Sequence, residues 1–434
     1  MRINAEDKNS YQHVVVHGLP YDRGLSHGQQ AKDKVQANVE YYKQPGKLAE
    51  RDVMHMIIKN LYIPNIEAHY PAGLEEMKGI ADGASVSLED IVLLNARYDL
   101  ARLNRPADNV TRGISDSNGH TLDGEYEHAH ECTSSFFLKE TTASGDVLNA
   151  QNWDMSARLW LTDAIIYLEV HPDPSEGKPS LFLVTEAGQL GRSGMNSLGI
   201  GVTANSLMST EDYSPDQRVD DKAVMPISLL RRMVLECSHI SEAFTAIQQF
   251  PRHVSNNLTL ATAEGFGMCL EITPSRVYKV YCDIDDSYLI HTNHFTEKSF
   301  LSRDDVYDRY PGGSSWFRRQ RLEQGVRPYT KGLLTTEQLI KAFSDHLSYP
   351  EALCCHPDKD PLDRVIGDLP GYPFRGTTAT VTCVIYNLSQ GTITTCKGPP
   401  CQGHFKTFSL GGPRNSIDFE RKKNGEGIER PEVP

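Results

Sequence analysis

The stretch "HAHECTSSFF" (128–137) places a cysteine where a polar, acidic run meets a Thr-Ser-Ser-Phe-Phe run that reads as a strand. A lone cysteine ordinarily reads as a small buried hydrophobe, and the other eight of the nine are read that way. Cys132 differs by its place at the junction of a long polar loop and a strand. If the chain were cut before it, Cys132 would carry a free α-amino group beside its thiol. Such an amine titrates near ~8, close enough to neutrality to serve as a built-in general base. A thiol with an adjacent base is an activated nucleophile.

Other residues could assist such chemistry. Asp154, in "NAQNWDMS" (149–156), reads either as a turn cap or as a carboxylate that orients an amine or a catalytic group, with Trp153 beside it as core. Asn293, in "LIHTNHF" (289–295), offers an amide N–H for a developing oxyanion if it faces Cys132. His291 and His294 fall on opposite faces of a strand and have no acidic or cysteine partner at ligand spacing, so no metal is expected there. Arg375, in "FRGTTATVTCVIY" (374–386), reads as surface or as a fixed fork for a substrate carboxylate. "CCH" (354–356) is part of a zinc motif without a second pair near it. It is read as buried thiols with a polar His356.

These residues need a scaffold. The chain has 434 residues, 39% hydrophobic and 23% charged, enough for a core of normal size. A net charge of −13 argues against a nucleic-acid partner, because phosphate neutralisation needs an excess of Lys and Arg. No signal pattern opens the chain and no long apolar run crosses it, so a cytoplasmic protein without a membrane span is expected. The cysteines are then reduced thiols, and three Asn-x-Ser/Thr matches at Asn109, Asn257 and Asn387 are chance. Residues 1–100 read mostly helical, with a break near Gly83 and a capping box in "SLED" (87–90). Residues 103–131 read as an exposed loop. Strands are expected at "TSSFFLKE", "VLNAQNWDM", "AIIYLEVH", "SLFLVTEA" and "GIGVTANSL". A helix follows at 226–250, strands at 257–272 and 276–295, helices near 315–325 and 335–347, and last strands in "TTATVTCVIYNLSQGTITTCKG". Two groups of strands with helices between and around them predict an α+β layered fold. The charged tail after Gly412 reads as disordered.

Seven segments in order resemble the acyl-coenzyme A:isopenicillin N acyltransferase family, a branch of the N-terminal nucleophile hydrolases. They are "GLPYDRGLSHGQQA" (18–31), "MKGIADGASVSLEDIVLLNARYD" (77–99), "ECTS" with "QNWDM" (131–134, 151–155), "TEAGQLGRSGMNSLGIGV" (185–202), "HTNHF" (291–295), "SWFRRQRL" (315–322) and "GPP" (398–400). The likeness runs from about residue 14 to about residue 410.

The resemblance implies a four-layer αββα sandwich of the N-terminal nucleophile hydrolase type, made as a precursor that cuts itself between Glu131 and Cys132. Residues 1–131 would form the α-chain and 132–412 the β-chain of one folded unit, with 413–434 as a tail. It implies Cys132 as nucleophile and, through its α-amine, as base, Asn293 as oxyanion donor and Asp154 as an aid to processing. By the same resemblance, Thr273 would stand near the nucleophile, where the family has serine. The resemblance implies Arg375 as the substrate-side arginine, with Phe374, His356 and Trp153 also lining the substrate. The chain departs from the family in having Glu131 where glycine precedes the cysteine, His356 where an arginine is expected and Phe374 where a serine is expected. These departures point away from isopenicillin N as the substrate. The expected activity is acyl transfer that forms or exchanges an amide bond on a small amino-acid or peptide-like metabolite. Alternatives are hydrolysis of N-acyl compounds such as β-alanyl amines, and an uncut, non-catalytic binding protein. Neither a metal nor an organic cofactor is expected; an acyl-coenzyme A thioester would be a substrate.

Overall fold

The computed structural model describes residues 8–45, 47–103, 132–215, 223–283, 285–310, 313–357 and 378–410. Glu131, Phe374, Arg375, Asn109, most of the 103–131 loop and the tail lie outside them.

Two sheets face each other. The larger runs, edge to edge, β1 (Gln12–Gly18), β4 (Ile165–Pro172), β5 (Leu181–Glu186), β6 (Ser193–Asn196), β7 (Ile200–Ser206), β8 (Asn256–Thr262), β9 (Gly267–Ile272) and β10 (Val277–Val280). Only its β1–β4 pair is parallel. The smaller is antiparallel throughout: β11 (Tyr288–His291), β2 (Cys132–Phe137), β3 (Leu148–Ser156), β12 (Thr378–Asn387), β13 (Thr392–Lys397) and β14 (Lys406–Ser409).

Alternation along the strands sorts the apolar side chains into three interfaces. Ile165, Tyr167, Phe182 and Val184 of the larger sheet meet Phe136, Trp153, Val384 and Tyr386 of the smaller one. Ile166, Leu168, Leu181 and Leu183 point the other way, into the helices of the first hundred residues and into Ile227–Leu235. Phe137, Ala150, Cys383 and Ile385 face the helices Ser314–Val326 and Thr336–Phe343. The order is helix, sheet, sheet, helix, the expected α+β αββα arrangement. Strands covered on both faces read as continuous buried runs, as β2 does.

Two glycine pairs explain the first resembling segment. The helices Pro20–Gln30 and Pro71–Ala84 touch backbone to backbone. A Cβ on Gly24 would lie 2.0 Å from the Glu76 carbonyl oxygen, and one on Gly28 2.3 Å from that of Ile80. The opposing Gly79 and Gly83 meet Tyr21 and Leu25 in the same way, at 2.1 and 2.3 Å. The capping box is present: the Asp90 N–H donates to Ser87 Oγ, and the Ser87 N–H to the Asp90 carboxylate.

Some expectations need correction. The span 226–250 is two helices, Ile227–Leu235 and Ile240–Gln249, because His239 starts a new capping box with Glu242. β1, β6 and β14 were not anticipated; β6 and β14 have only four residues each, while β1, with seven, precedes a stretch that reads as helical. Asn257 is fully buried in β8, which closes it to glycosylation in the folded chain.

Candidate active site

Cys132 is the first residue of β2 and pairs with Trp153 of β3. It is buried. Its backbone is held on both sides. The Cys132 N–H donates to Asn293 Oδ1 at 2.9 Å, and its carbonyl accepts from Arg318 Nη1 at 2.9 Å. The same guanidinium reaches Thr133 Oγ1 at 2.9 Å and Asn293 Oδ1 at 2.8 Å. Arg318 is brought here by the helix Ser314–Val326, where Ser314 one turn earlier accepts from its Nε. Ser315 Oγ accepts the Asn293 N–H at 2.8 Å, so one helix end orients both residues.

These bonds also orient the Asn293 carboxamide. Two donors, the Cys132 N–H and Arg318, require an acceptor, so Oδ1 faces Cys132 and Nδ2 donates to the Ser206 carbonyl at 3.0 Å. The sequence expectation of Asn293 beside Cys132 is met in position. The atom facing the cysteine is nevertheless the oxygen.

Asp154, deep in β3, pairs with Thr380 of β12 and accepts its hydroxyl at 2.5 Å. Its backbone N–H is directed at the Cys132 thiol. Burial pushes that thiol up to about 11; Arg192 pulls against this, the Asp154 carboxylate adds to it, and the Asp154 N–H and Arg318 oppose it. Arg192 lies 3.8 Å over the Trp153 ring. Burial, and then the charges of Arg97 and Arg231, bring Arg192 down to about 9. Arg231 Nη2 donates to Asn256 Oδ1 at 3.1 Å, while Arg231 Nε, Asn256 Nδ2 and Trp153 Nε1 are buried with no partner among the described residues.

The resembling segments hold one another. The turn that follows Glu186 is gripped by "LLNARYD": Arg97 pairs with Glu186, Asn95 Nδ2 donates to the Gly188 carbonyl at 3.0 Å, and Asn95 Oδ1 accepts from the Leu190 N–H at 2.9 Å. His27, from "SHGQ", accepts the Gly188 N–H at 3.1 Å. This turn leads straight to Arg192 and so fixes the positive side of the site.

Not every expected residue joins it. Thr273 caps the end of β9 on the other sheet, and its hydroxyl donates to Glu211 at 2.6 Å; no described hydrogen bond links it to Cys132. His291 bonds Glu271 at 2.9 Å, a partner distant in sequence. His356 Nε2 lies 3.2 Å from His346 Nε2, 3.4 Å from Cys354 Sγ and 3.3 Å from Cys401 Sγ. The reading of "CCH" as lacking further partners is thereby corrected, because folding brings in His346 and Cys401. Arg318 and Arg192 were missed as site residues. The signal for Arg318 was present in "SWFRRQRL", where helical spacing sets it one turn after Ser314.

A family profile described as acyl-coenzyme A:6-aminopenicillanic acid acyl-transferase matches residues 141–401, more than half of the chain. The acyl-coenzyme A:6-aminopenicillanic-acid-acyltransferase 40 kDa form of Emericella nidulans is 26% identical over 347 residues, which are 79% of this chain and 84% of that one. Among solved structures, a conjugated bile acid hydrolase from Clostridium perfringens has a TM-score of 0.39 and 10% identity, over 65% of this chain and 98% of that one. Penicillin V acylase from Agrobacterium tumefaciens has a TM-score of 0.30 and 12% identity, over 66% and 93%. The extent of the profile match places the chain in the acyl-coenzyme A:6-aminopenicillanic acid acyl-transferase family.

Proposed function

We propose that the protein is a self-processing acyltransferase whose nucleophile is Cys132. The observation that carries this reading is the anchoring of Cys132 through both backbone polar groups, by Asn293 Oδ1 and Arg318, at the head of β2. A cysteine held this way keeps its place when the bond before it breaks. The nitrogen that Asn293 now accepts from would become the α-amine.

The steps follow from these groups. In processing, the Cys132 sulfur attacks the Glu131 carbonyl, the peptide nitrogen leaves as the α-amine of Cys132, and water hydrolyses the resulting thioester. In turnover, the α-amine takes the thiol proton as sulfur attacks an amide or thioester carbonyl. The Asp154 backbone N–H serves the developing oxyanion, while Asn293 Oδ1 holds the α-amine in place. The α-ammonium protonates the departing amine or thiol, leaving an acyl group on sulfur. An acceptor amine then attacks the acyl carbonyl and gives its proton to the α-amine, and the thiol is restored. Water in place of the amine gives hydrolysis. The guanidinium groups of Arg192 and Arg231 on the thiol side favour a substrate that carries a negative charge.

Acid-quenched mass spectrometry of the Cys132 peptide tests this, with panels of acyl thioesters and N-acyl amino acids. An acyl adduct on Cys132, absent in Cys132→Ala, supports the reading. Acceptor-dependent turnover distinguishes transfer from hydrolysis. Turnover that survives in Cys132→Ala contradicts it.

A further inference from the structure

We propose that the chain holds a zinc ion between His346, Cys354, His356 and Cys401, in a Cys2His2 site that is separate from the nucleophile. All four donor atoms lie within 4.8 Å of one another. With Zn–N near 2.0–2.1 Å and Zn–S near 2.3 Å, a tetrahedron has N···N edges of about 3.3 Å and N···S edges of about 3.5 Å. The separations from His356 Nε2 are 3.2 Å to nitrogen and 3.4 and 3.3 Å to the two sulfurs.

A second observation points the same way. His356 Nε2 meets three neighbours at once. A ring nitrogen offers one N–H or one lone pair, so hydrogen bonding alone does not satisfy all three. An ion among the four donors does, with each donor turned to a common centre. Two thiolates and two imidazoles are a donor set that suits zinc.

The ligands come from separate stretches. His346, Cys354 and His356 lie on the segment after the helix Thr336–Phe343, and Cys401 on the turn between β13 and β14. Backbone bonds place them: the Cys354 N–H donates to the Asp345 carbonyl and the His356 N–H to the Pro350 carbonyl, both at 3.0 Å. Four protein ligands make a closed, structural site. Cys355, which stands between Cys354 and His356 in the chain, links the ion to the active site: the Cys355 N–H donates to Thr380 Oγ1 at 2.9 Å, and that hydroxyl donates to Asp154. Cys354 and His356 are buried while His346 and Cys401 are exposed, so the ion is reachable from solvent.

The experiment uses the full chain, purified without chelator under reducing conditions. Elemental analysis should give about one zinc per chain. Cobalt(II) added to the chelator-stripped protein should give the intense visible bands of a tetrahedral thiolate site. His346→Ala and Cys401→Ser alter the two exposed ligands, so they should keep the circular dichroism of the wild type while losing stoichiometric zinc and the cobalt bands. Absence of zinc together with no cobalt spectrum in the reduced wild type would overturn the proposal. So would a Cys354–Cys401 disulfide in the protein as isolated, or wild-type zinc content in both variants. None of these outcomes depends on whether Cys132 is the nucleophile.

Discussion

Asn293 Oδ1 accepts the Cys132 N–H at 2.9 Å and the Arg318 guanidinium at 2.8 Å, so a single buried oxygen joins the candidate nucleophile to the residue that holds its carbonyl. Asn293→Ala should remove this link and leave two buried donors unpaired, at about 1–3 kcal/mol of stability. Processing and acyl transfer should each slow by roughly 10²-fold, because the Cys132 N–H and Arg318 lose the acceptor that positions the nucleophile. Denaturant titration and single-turnover kinetics on the same preparation separate the two effects.

Arg318 makes a three-pronged contact with Cys132, Thr133 and Asn293 that needs a planar fork. Arg318→Lys keeps the charge and loses the geometry. The expected result is a folded protein whose kcat falls by at least about tenfold, with KM less affected. Equal kcat in the two proteins would show that charge alone suffices.

The glycine contact between the helices Pro20–Gln30 and Pro71–Ala84 makes a stability prediction. Gly24→Ala drives a methyl into the Glu76 backbone, which has no flexible end to move, and should cost about 1–3 kcal/mol or more. Gly313→Ala is the control: nothing lies within 4 Å of its Cβ and its backbone is already helical, so its effect should stay within about 1 kcal/mol. Urea melts of both variants check the contrast.

His27 gives a pH dependence with a definite sign. Burial lowers it from 6.5 to about 4, with the nearby Glu76 raising and Arg232 lowering it, so the folded chain keeps it neutral. Between these values the unfolded chain binds a proton that the folded chain does not. His27 therefore contributes a loss of stability as pH falls from about 6.5 towards 4, near 1.4 kcal/mol per pH unit at the steepest. His27→Gln keeps an acceptor for the Gly188 N–H and should flatten that part of the stability curve. An unchanged slope in the variant would remove His27 as its source.

The Cys132 thiol, raised to about 11 by burial, should alkylate slowly at neutral pH in the uncut chain, and faster as pH rises towards that value. Cleavage before Cys132 puts an ammonium group beside the sulfur and should move the midpoint down by about 1–3 on the pH scale. Peptide mapping after iodoacetamide treatment across pH reads this, and identical profiles for cut and uncut chains would contradict the α-amine role.

The layered fold was legible because both sheets are covered on both faces, so strands such as β4 and β5 stand out as short, mainly apolar runs between turns. Of the strands that escaped, β6 and β14 have only four residues each and take their pairing from neighbouring strands, whereas β1 has seven and stands at the head of a mostly helical region. Cys132, Asp154 and Asn293 were singled out because their residue types suit the chemistry and their segments resemble a family, and the fold brings the three together. Their mutual orientation was not legible, since the two donors that fix the Asn293 carboxamide come from positions 132 and 318. The cluster around His356 was hidden for the same reason: its members span residues 346 to 401, and no local spacing joins Cys401 to "CCH". Thr273, a position assigned by resemblance, has its hydroxyl tied to Glu211, a contact that no local pattern signals.

In the proposed function Cys132 becomes an N-terminal nucleophile when the chain is cut before it. The most direct test is intact mass and N-terminal sequencing of freshly purified protein beside Cys132→Ala. The account predicts two polypeptides in the wild type, one beginning Cys-Thr-Ser-Ser, and one uncut chain in the variant. A single uncut chain in both, or the same cut in both, would contradict it.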